Sequence, residues 1–176
     1  MSSARYLFGS IVTALWCLLL TSCVHEWPDS SLPIKVNLNM SAENGDSSVK
    51  SILDGSEYDL RYIVAAHRRM QDGSYSKEES ERFVFSKDDI SDINHNISLM
   101  LVPGVYKLYF WVDYVRQGST ENLYYDPSNF RQVELLTDLH NYEGNNEYKN
   151  VHTTSQEIEL EHRPSSAGEY CFDVAL

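Results

Sequence analysis

Cys23 is the residue of this chain with the most clearly marked chemistry. It follows Leu20-Thr21-Ser22, so an apolar residue and two small ones lead into a cysteine, the order of a bacterial lipobox. That pattern directs a diacylglyceryl thioether onto the sulfur, cleavage after Ser22 and acylation of the new amine. Acyl chains contribute about 0.8 kcal/mol per buried CH₂, so several together tether a protein where one does not. Arg5 and the apolar run Tyr6–Leu20 precede the box. The run is short for a membrane span, which needs about 20 residues, and fits the core of an export signal. The competing reading is a plain secretory peptide cut nearby, with Cys23 an ordinary thiol.

The other nucleophiles and ligands are less organised. Cys17 leaves with the signal and Cys23 carries lipid, so Cys171 has no cysteine left for an intrachain disulfide or a cysteine-based zinc site. It is expected to be an inert thiol in the C-terminal tail. The chain lacks a Gly-x-Ser-x-Gly elbow, a phosphate-binding Gly loop, a dinucleotide Gly motif and His-Glu-x-x-His. Its six histidines are scattered with no i, i+4 pair. Glu78-Glu79 and Asp88-Asp89 lie in polar connections, where a solvated face is the simpler reading than an acid–base pair. Asp126-Pro-Ser-Asn129 offers oxygens but lacks the alternating acids and glycine of a calcium loop. No metal, no cofactor and no catalytic residue is expected.

Aromatic side chains are the remaining candidates. Tyr109, Trp111, Tyr124 and Tyr125 could form a platform that stacks on sugar faces or meets a partner protein. Packing under a loop is the bland alternative for the same rings.

The background that must position these residues is that of an acidic globular chain. Its 176 residues carry 14 Lys+Arg against 26 Asp+Glu, a formal net charge of −12. Such a chain repels phosphate backbones, so no nucleic-acid partner is expected. Arg5 leaves with the signal, which makes the mature chain more acidic still. Tyr alone accounts for 12 residues, against 6 Phe and 3 Trp, a bias that suits half-buried strands.

Periodicity outside the signal is two. Ile34, Val36 and Leu38 alternate with polar residues, as do Tyr58, Leu60, Tyr62 and Val64 in a strand over 57–66. Asp72-Gly73 marks a hairpin turn. Shorter strands are predicted over 81–86 and 95–102. Pro103-Gly104 then breaks the chain. After it, Tyr106, Leu108, Phe110, Val112 and Tyr114 share one apolar face that should enter a core. Val105, Lys107, Tyr109, Trp111, Asp113 and Val115 form a mixed face, as on a central strand with a partly covered outer side. A tyrosine just after Leu-x-Pro-Gly resembles the tyrosine corner of β-sandwiches. Further strands are predicted over 130–136 and 156–161, with a loop over 137–150. Short strands separated by turn signals indicate an all-β, antiparallel β-sandwich.

Several pieces in order carry a family resemblance. They are Cys23-Val-His-Glu-Trp-Pro28, Leu101-Val-Pro-Gly-Val-Tyr106, Trp111-Val-Asp-Tyr-Val115, Asn122-Leu-Tyr-Tyr-Asp126, Asn129-Phe-Arg-Gln-Val133, Tyr142-Glu-Gly-Asn145 and Glu157-Ile-Glu-Leu160. Together they resemble the N-terminal domain of Bacteroidetes fimbrillin-like lipoproteins, over residues 23–164. That family is similar to the anchor and accessory subunits of type V pili. The resemblance implies a transthyretin-like, Greek-key sandwich of about seven strands. It implies an outer-membrane protein held at the cell surface by its lipid, acting in adhesion or pilus assembly without catalysis. Its partners would be the membrane and fimbrial subunits that bind by strand addition. A surface glycan-binding lipoprotein is the alternative.

The organisation expected is a signal peptide over 1–22, a tether over 23–32, a sandwich over 33–164 and an irregular tail over 165–176. Family members continue into a second β-domain after an Arg-Pro. This sequence has Arg163-Pro164 followed by Ser165-Ser-Ala-Gly168, which suggests a truncated or frameshifted product.

Overall fold

A computed structural model describes residues 32–42, 57–136, 149–161 and 169–176. The signal, the lipobox with Cys23, the tether before residue 32, and most of the predicted loop over 137–150 lie outside the described residues.

Nine strands make up these segments, in the order β1 (Ile34–Ser41), β2 (Tyr58–Arg68), β3 (Glu81–Lys87), β4 (His95–Leu101), β5 (Gly104–Arg116), β6 (Tyr125–Asp126), β7 (Glu134–Leu135), β8 (His152–Leu160) and β9 (Tyr170–Ala175). They form a three-stranded sheet ordered β4-β1-β9 and a four-stranded sheet ordered β3-β2-β5-β8. A separate ribbon pairs β6 with β7. The two larger sheets are the expected Greek-key sandwich of transthyretin type. Every pairing is antiparallel except that of β1 with β9.

The core lies between the sheets, and the period-two pattern explains it. Val36, Leu38 and Met40 of β1, with Ile97, Leu99 and Leu101 of β4, face Tyr62, Val64, Tyr106, Leu108, Phe110 and Val112 across the interface. All are buried. Ile90 and Ile93 of the β3–β4 connection close one end, and the Tyr62 hydroxyl donates to the Ile93 carbonyl at 2.9 Å. Burial, before the nearby Asp92, pushes the Tyr62 phenol well above its ordinary value, so it stays a donor.

The corner at Pro103-Gly104 takes the chain from one sheet to the other, because β4 and β5 belong to different sheets. The Tyr106 hydroxyl reaches back to the Val102 carbonyl at 2.9 Å, the bond that defines a tyrosine corner. Arg68 at the end of β2 donates to the Pro103 carbonyl at 2.9 Å. A Cβ on Gly104 would meet Arg68 Nε at 3.0 Å, so glycine is what lets the guanidinium lie against the corner. The Asp72-Gly73 turn forms as expected, with Gly73 at φ 83° and its N–H on the Met70 carbonyl.

Three elements differ from the sequence reading. The strand predicted over 130–136 shrinks to Glu134–Leu135. The strand predicted over 156–161 begins earlier, at His152. Its first half, His-Thr-Thr-Ser, carries no apolar alternation, because its outward residues are small hydroxyls and its inward ones are only half buried. The tail expected to be irregular over 165–176 contains β9, which pairs in register from Val36↔Tyr170 to Ser41↔Ala175. Tyr170, Phe172 and Val174 do alternate with Cys171, Asp173 and Ala175. The apolar-scoring Cys171 and Ala175 on the outward side blurred that period. The sandwich boundary therefore moves from residue 164 to include residues 170–175.

Two outcomes test this packing. Phe110→Ala removes a fully buried ring and should cost about 3–5 kcal/mol in urea unfolding, whereas Tyr106→Phe, which loses only the corner bond, should cost about 0.5–1.5 kcal/mol. Amide hydrogen exchange should show the β9 amides that bond to β1 protected together with those of β4.

Candidate functional site

The outer face of the four-stranded sheet is where the sequence candidates meet. The ladder registers set side chains in rows across this face. One row runs Val84–Ile63–Trp111–Thr153, the next Arg82–Ala65–Tyr109–Ser155, and a third starts Ser86–Arg61–Asp113. Each row therefore takes one residue from each strand it crosses.

The segment from residue 117 to residue 136, which carries β6 and β7, covers these rows. Two arginines hold it down. Arg61 makes a bidentate pair with Asp113, Nε to Oδ1 at 2.8 Å and Nη2 to Oδ2 at 2.6 Å. Both side chains are 3% exposed. The remaining Arg61 nitrogen, Nη1, donates to the Thr120 carbonyl and to Asn122 Oδ1, each at 2.8 Å. Asn122 passes the connection on to Asp126 at 3.1 Å. Arg82 does the same from β3. It donates to the Pro127 carbonyl at 2.7 Å, pairs with Glu79 at 2.6 Å, and sits 5.1 Å from the centre of the Phe130 ring. The Ser128 backbone N–H, then its hydroxyl, hold the Asp126 carboxyl below its ordinary range.

Of the four aromatic residues singled out in the sequence, three share one cluster. Trp111 is 5% exposed. It meets Tyr125 edge-on at 5.7 Å and Phe130 at 6.2 Å. Tyr109 is half-buried and nearly parallel to Phe130, with centres 6.4 Å apart and planes 17° apart. His67 packs edge-on to Tyr109 at 5.3 Å and bonds the Ser76 carbonyl through Nδ1 at 2.9 Å. The Tyr125 hydroxyl donates to the Lys149 carbonyl at 3.0 Å. Tyr124 is placed differently, with the Lys149 ammonium 5.5 Å from its ring centre. The four do not make one open platform: Trp111 is buried, Tyr109, Tyr124 and Tyr125 are half-buried, and the last two belong to the covering segment itself.

A recess of about 420 Å³ remains beside them, lined among others by Tyr109, Trp111, Phe130, Val133, Thr153 and Ser155. Sequence reading gave no site role to Phe130, Val133, Thr153 or Ser155: the first two entered only within Asn129-Phe-Arg-Gln-Val133, and the last two sit in none of the quoted pieces. It also missed Arg61 and Asp113 as a pair. Each is a charge inside an apolar strand, a signal that alternation alone reads as an outward, solvated position. Among the described residues, no group of three or more His, Cys, Asp or Glu could hold a metal ion. Cys171 is exposed on the outer face of the other sheet, next to Asn37.

The fold and this face define a two-sheet β-sandwich with one side roofed by its own connection. The chain belongs to the DUF6562 family, a family of unknown function whose model matches residues 28–173. No curated protein and no solved structure matches it.

The roof rests on a desolvated charge pair, which sets a test. Asp113→Ala leaves the Arg61 guanidinium buried without its counter-charge and should cost about 3–5 kcal/mol, while replacing both residues with leucine should cost less than that single change. Urea denaturation reads both. Hydrogen exchange in the single variant should quicken across 117–128 before it quickens in β5.

Proposed function

We propose that this protein is a membrane-anchored surface lipoprotein of the fimbrial anchor or accessory type, non-catalytic, acting in adhesion or pilus assembly. The observation that carries the reading is the apolar run Tyr6–Leu20 closing on Leu20-Thr-Ser-Cys23. A thioether-linked diacylglycerol on Cys23 would hold the sandwich at the outer membrane. The fold supports the assembly part of the reading. Among the described residues, β9, β4 and β8 each pair with a single strand. Such edges present backbone donors and acceptors to which a strand from another subunit can add. The six-residue β9 and the polar face beside it, Asn37, Asn39 and Asp173, would meet such a subunit without burying an apolar patch.

Labelling with a fatty-acid analogue tests the anchor. The natural chain should be labelled and pellet with membranes, and Cys23→Ser should lose both properties. A serine variant that stays labelled and membrane-bound overturns the lipobox reading. Deleting the gene in the bacterium that carries it tests the role. Fewer cell-attached fimbriae or weaker adhesion is expected, and unchanged fimbriation together with unchanged adhesion overturns the fimbrial reading.

A further inference from the structure

We infer that the β3–β4 connection is an acid-operated latch: a proton taken up by His95 expels its ring from beside Tyr62 and releases residues 88–94 from the end of the core. Burial, bonding and charge at this end of the sandwich argue for it together.

The connection is a local unit. Its contribution to the core is Ile90 and Ile93, 4% and 2% exposed, and the residues around them are Asp88, Asp89, Ser91, Asp92 and Asn94. Donors outside it hold it in place. Besides the Tyr62 hydroxyl on the Ile93 carbonyl, the Lys87 ammonium donates to the Asp92 carbonyl at 2.7 Å and to the Asn94 carbonyl at 2.9 Å. The Ala42 N–H reaches Asn94 Oδ1 at 3.2 Å. Further bonds are internal: Asp89 Oδ1 accepts from the Ser91 N–H and hydroxyl, and Asp92 Oδ1 from the Asn94 N–H. A segment attached in this way can open without melting the sheets behind it.

His95 sits where that opening is controlled. It is the first residue of β4, pairs with Met40 of β1 and is half-buried. Its ring centre lies 4.8 Å from that of Tyr62, with the planes 38° apart, so it packs on the phenol that fastens Ile93. It also follows Asn94 directly. A shift of His95 toward water therefore pulls on the Ile93 and Asn94 carbonyls that Tyr62 and Lys87 hold.

Charge sets the direction. A neutral imidazole suits a half-buried place beside a phenol and an ammonium, and an imidazolium does not. Burial first, then the Lys87 charge at the end of β3, holds His95 below its ordinary value. Asp89 and Asp92 act on the Tyr62 phenol and bond within the connection, and Asp88 is exposed. With all three in place the balance at His95 still disfavours its charged form. Once released, the ring meets water and regains its ordinary value near 6.5. The open form thus binds the proton more readily, so the latch is closed above that value and loses stability as pH falls through it. His152 is likewise held down by burial, but it lies on β8 and supplies a control. The latch stands apart from the lipid anchor and from the fimbrial reading.

Amide hydrogen exchange tests it on the full chain in detergent, at about pH 7.5 and about pH 5, with rates taken relative to an unstructured peptide at the same pH. Protection over residues 90–95 should fall about threefold or more at the lower pH, while protection in β5 holds. His95→Gln should remove the fall, and His152→Gln should leave it in place. In the natural chain the His95 ring proton resonance, identified by its loss in His95→Gln, should titrate with a midpoint below that of an unstructured histidine. This second measurement decides the matter even where His95→Gln leaves the connection open at both pH values. Protection that does not change with pH in the natural chain overturns the latch, and so does an undiminished fall in His95→Gln. An equal fall across β5 makes the transition global and overturns it as well. A His95 midpoint at or above the ordinary value overturns it whatever the variants do.

Discussion

Burial of the central strands on both faces is the constraint on which the rest of the structure depends. In β2, ten consecutive residues from Tyr58 to His67 are buried, and in β5 the run from Phe110 to Val115 is unbroken. A strand that sends alternate side chains to opposite faces can be buried throughout only if both faces are covered. The three-stranded sheet covers the inner face with aliphatic side chains. The outer face falls to a connection, and a connection with few apolar residues covers a sheet poorly unless something fixes it. The Arg61–Asp113 pair meets that need. It is expensive to bury, and its remaining donor is spent on two groups of the covering segment, so the charge is tolerable only while the segment is in place. Cover and charge pair require each other.

That mutual dependence explains which parts of the molecule were legible from the sequence. The inner face was readable residue by residue. Tyr106, Leu108, Phe110 and Val112 alternate cleanly, and the structure buries all of them. The corner was readable as well, because Pro-Gly followed by tyrosine is local chemistry and the Tyr106 hydroxyl bonds four residues back. The outer face was not readable in the same way. Its cover comes from residues 117–136, whose contacts with Ile63, Trp111 and Arg61 are long-range and leave no period in the sequence. The aromatic residues were recognised as notable, but their packing against Phe130 could not be. β8 and β9 were obscured for a related reason. Their inward positions are only half buried along much of their length, at His152, Thr154 and Gln156 of β8 and at Tyr170 and Phe172 of β9, so these strands carry little apolar pattern.

The two outer faces of the sandwich differ in character. Beyond the four-stranded sheet lie rings, a roof and a recess. Beyond the three-stranded sheet lies an open polar lattice, in which Lys35 and Asn37 reach Glu169, Asn39 reaches Asp173 and Ser98 reaches Asn37. These bonds tie β9 and β4 to β1 through side chains as well as backbone. They are exposed, so each adds little stability, but in sum they favour one register over its neighbours.

The parallel union of β1 with β9 also governs when the molecule can fold. Lys35 and Glu169, which meet at 2.9 Å, are separated by 134 positions along the chain. Contacts of such long sequence separation require closure of most of the polypeptide before they repay its entropy, which slows folding. The central strand of the three-stranded sheet thus lacks one neighbour until the far end of the chain has been synthesised. While β9 is still to come, the sandwich stays open along one side of β1, and its smaller sheet is completed only when this late strand docks beside the first.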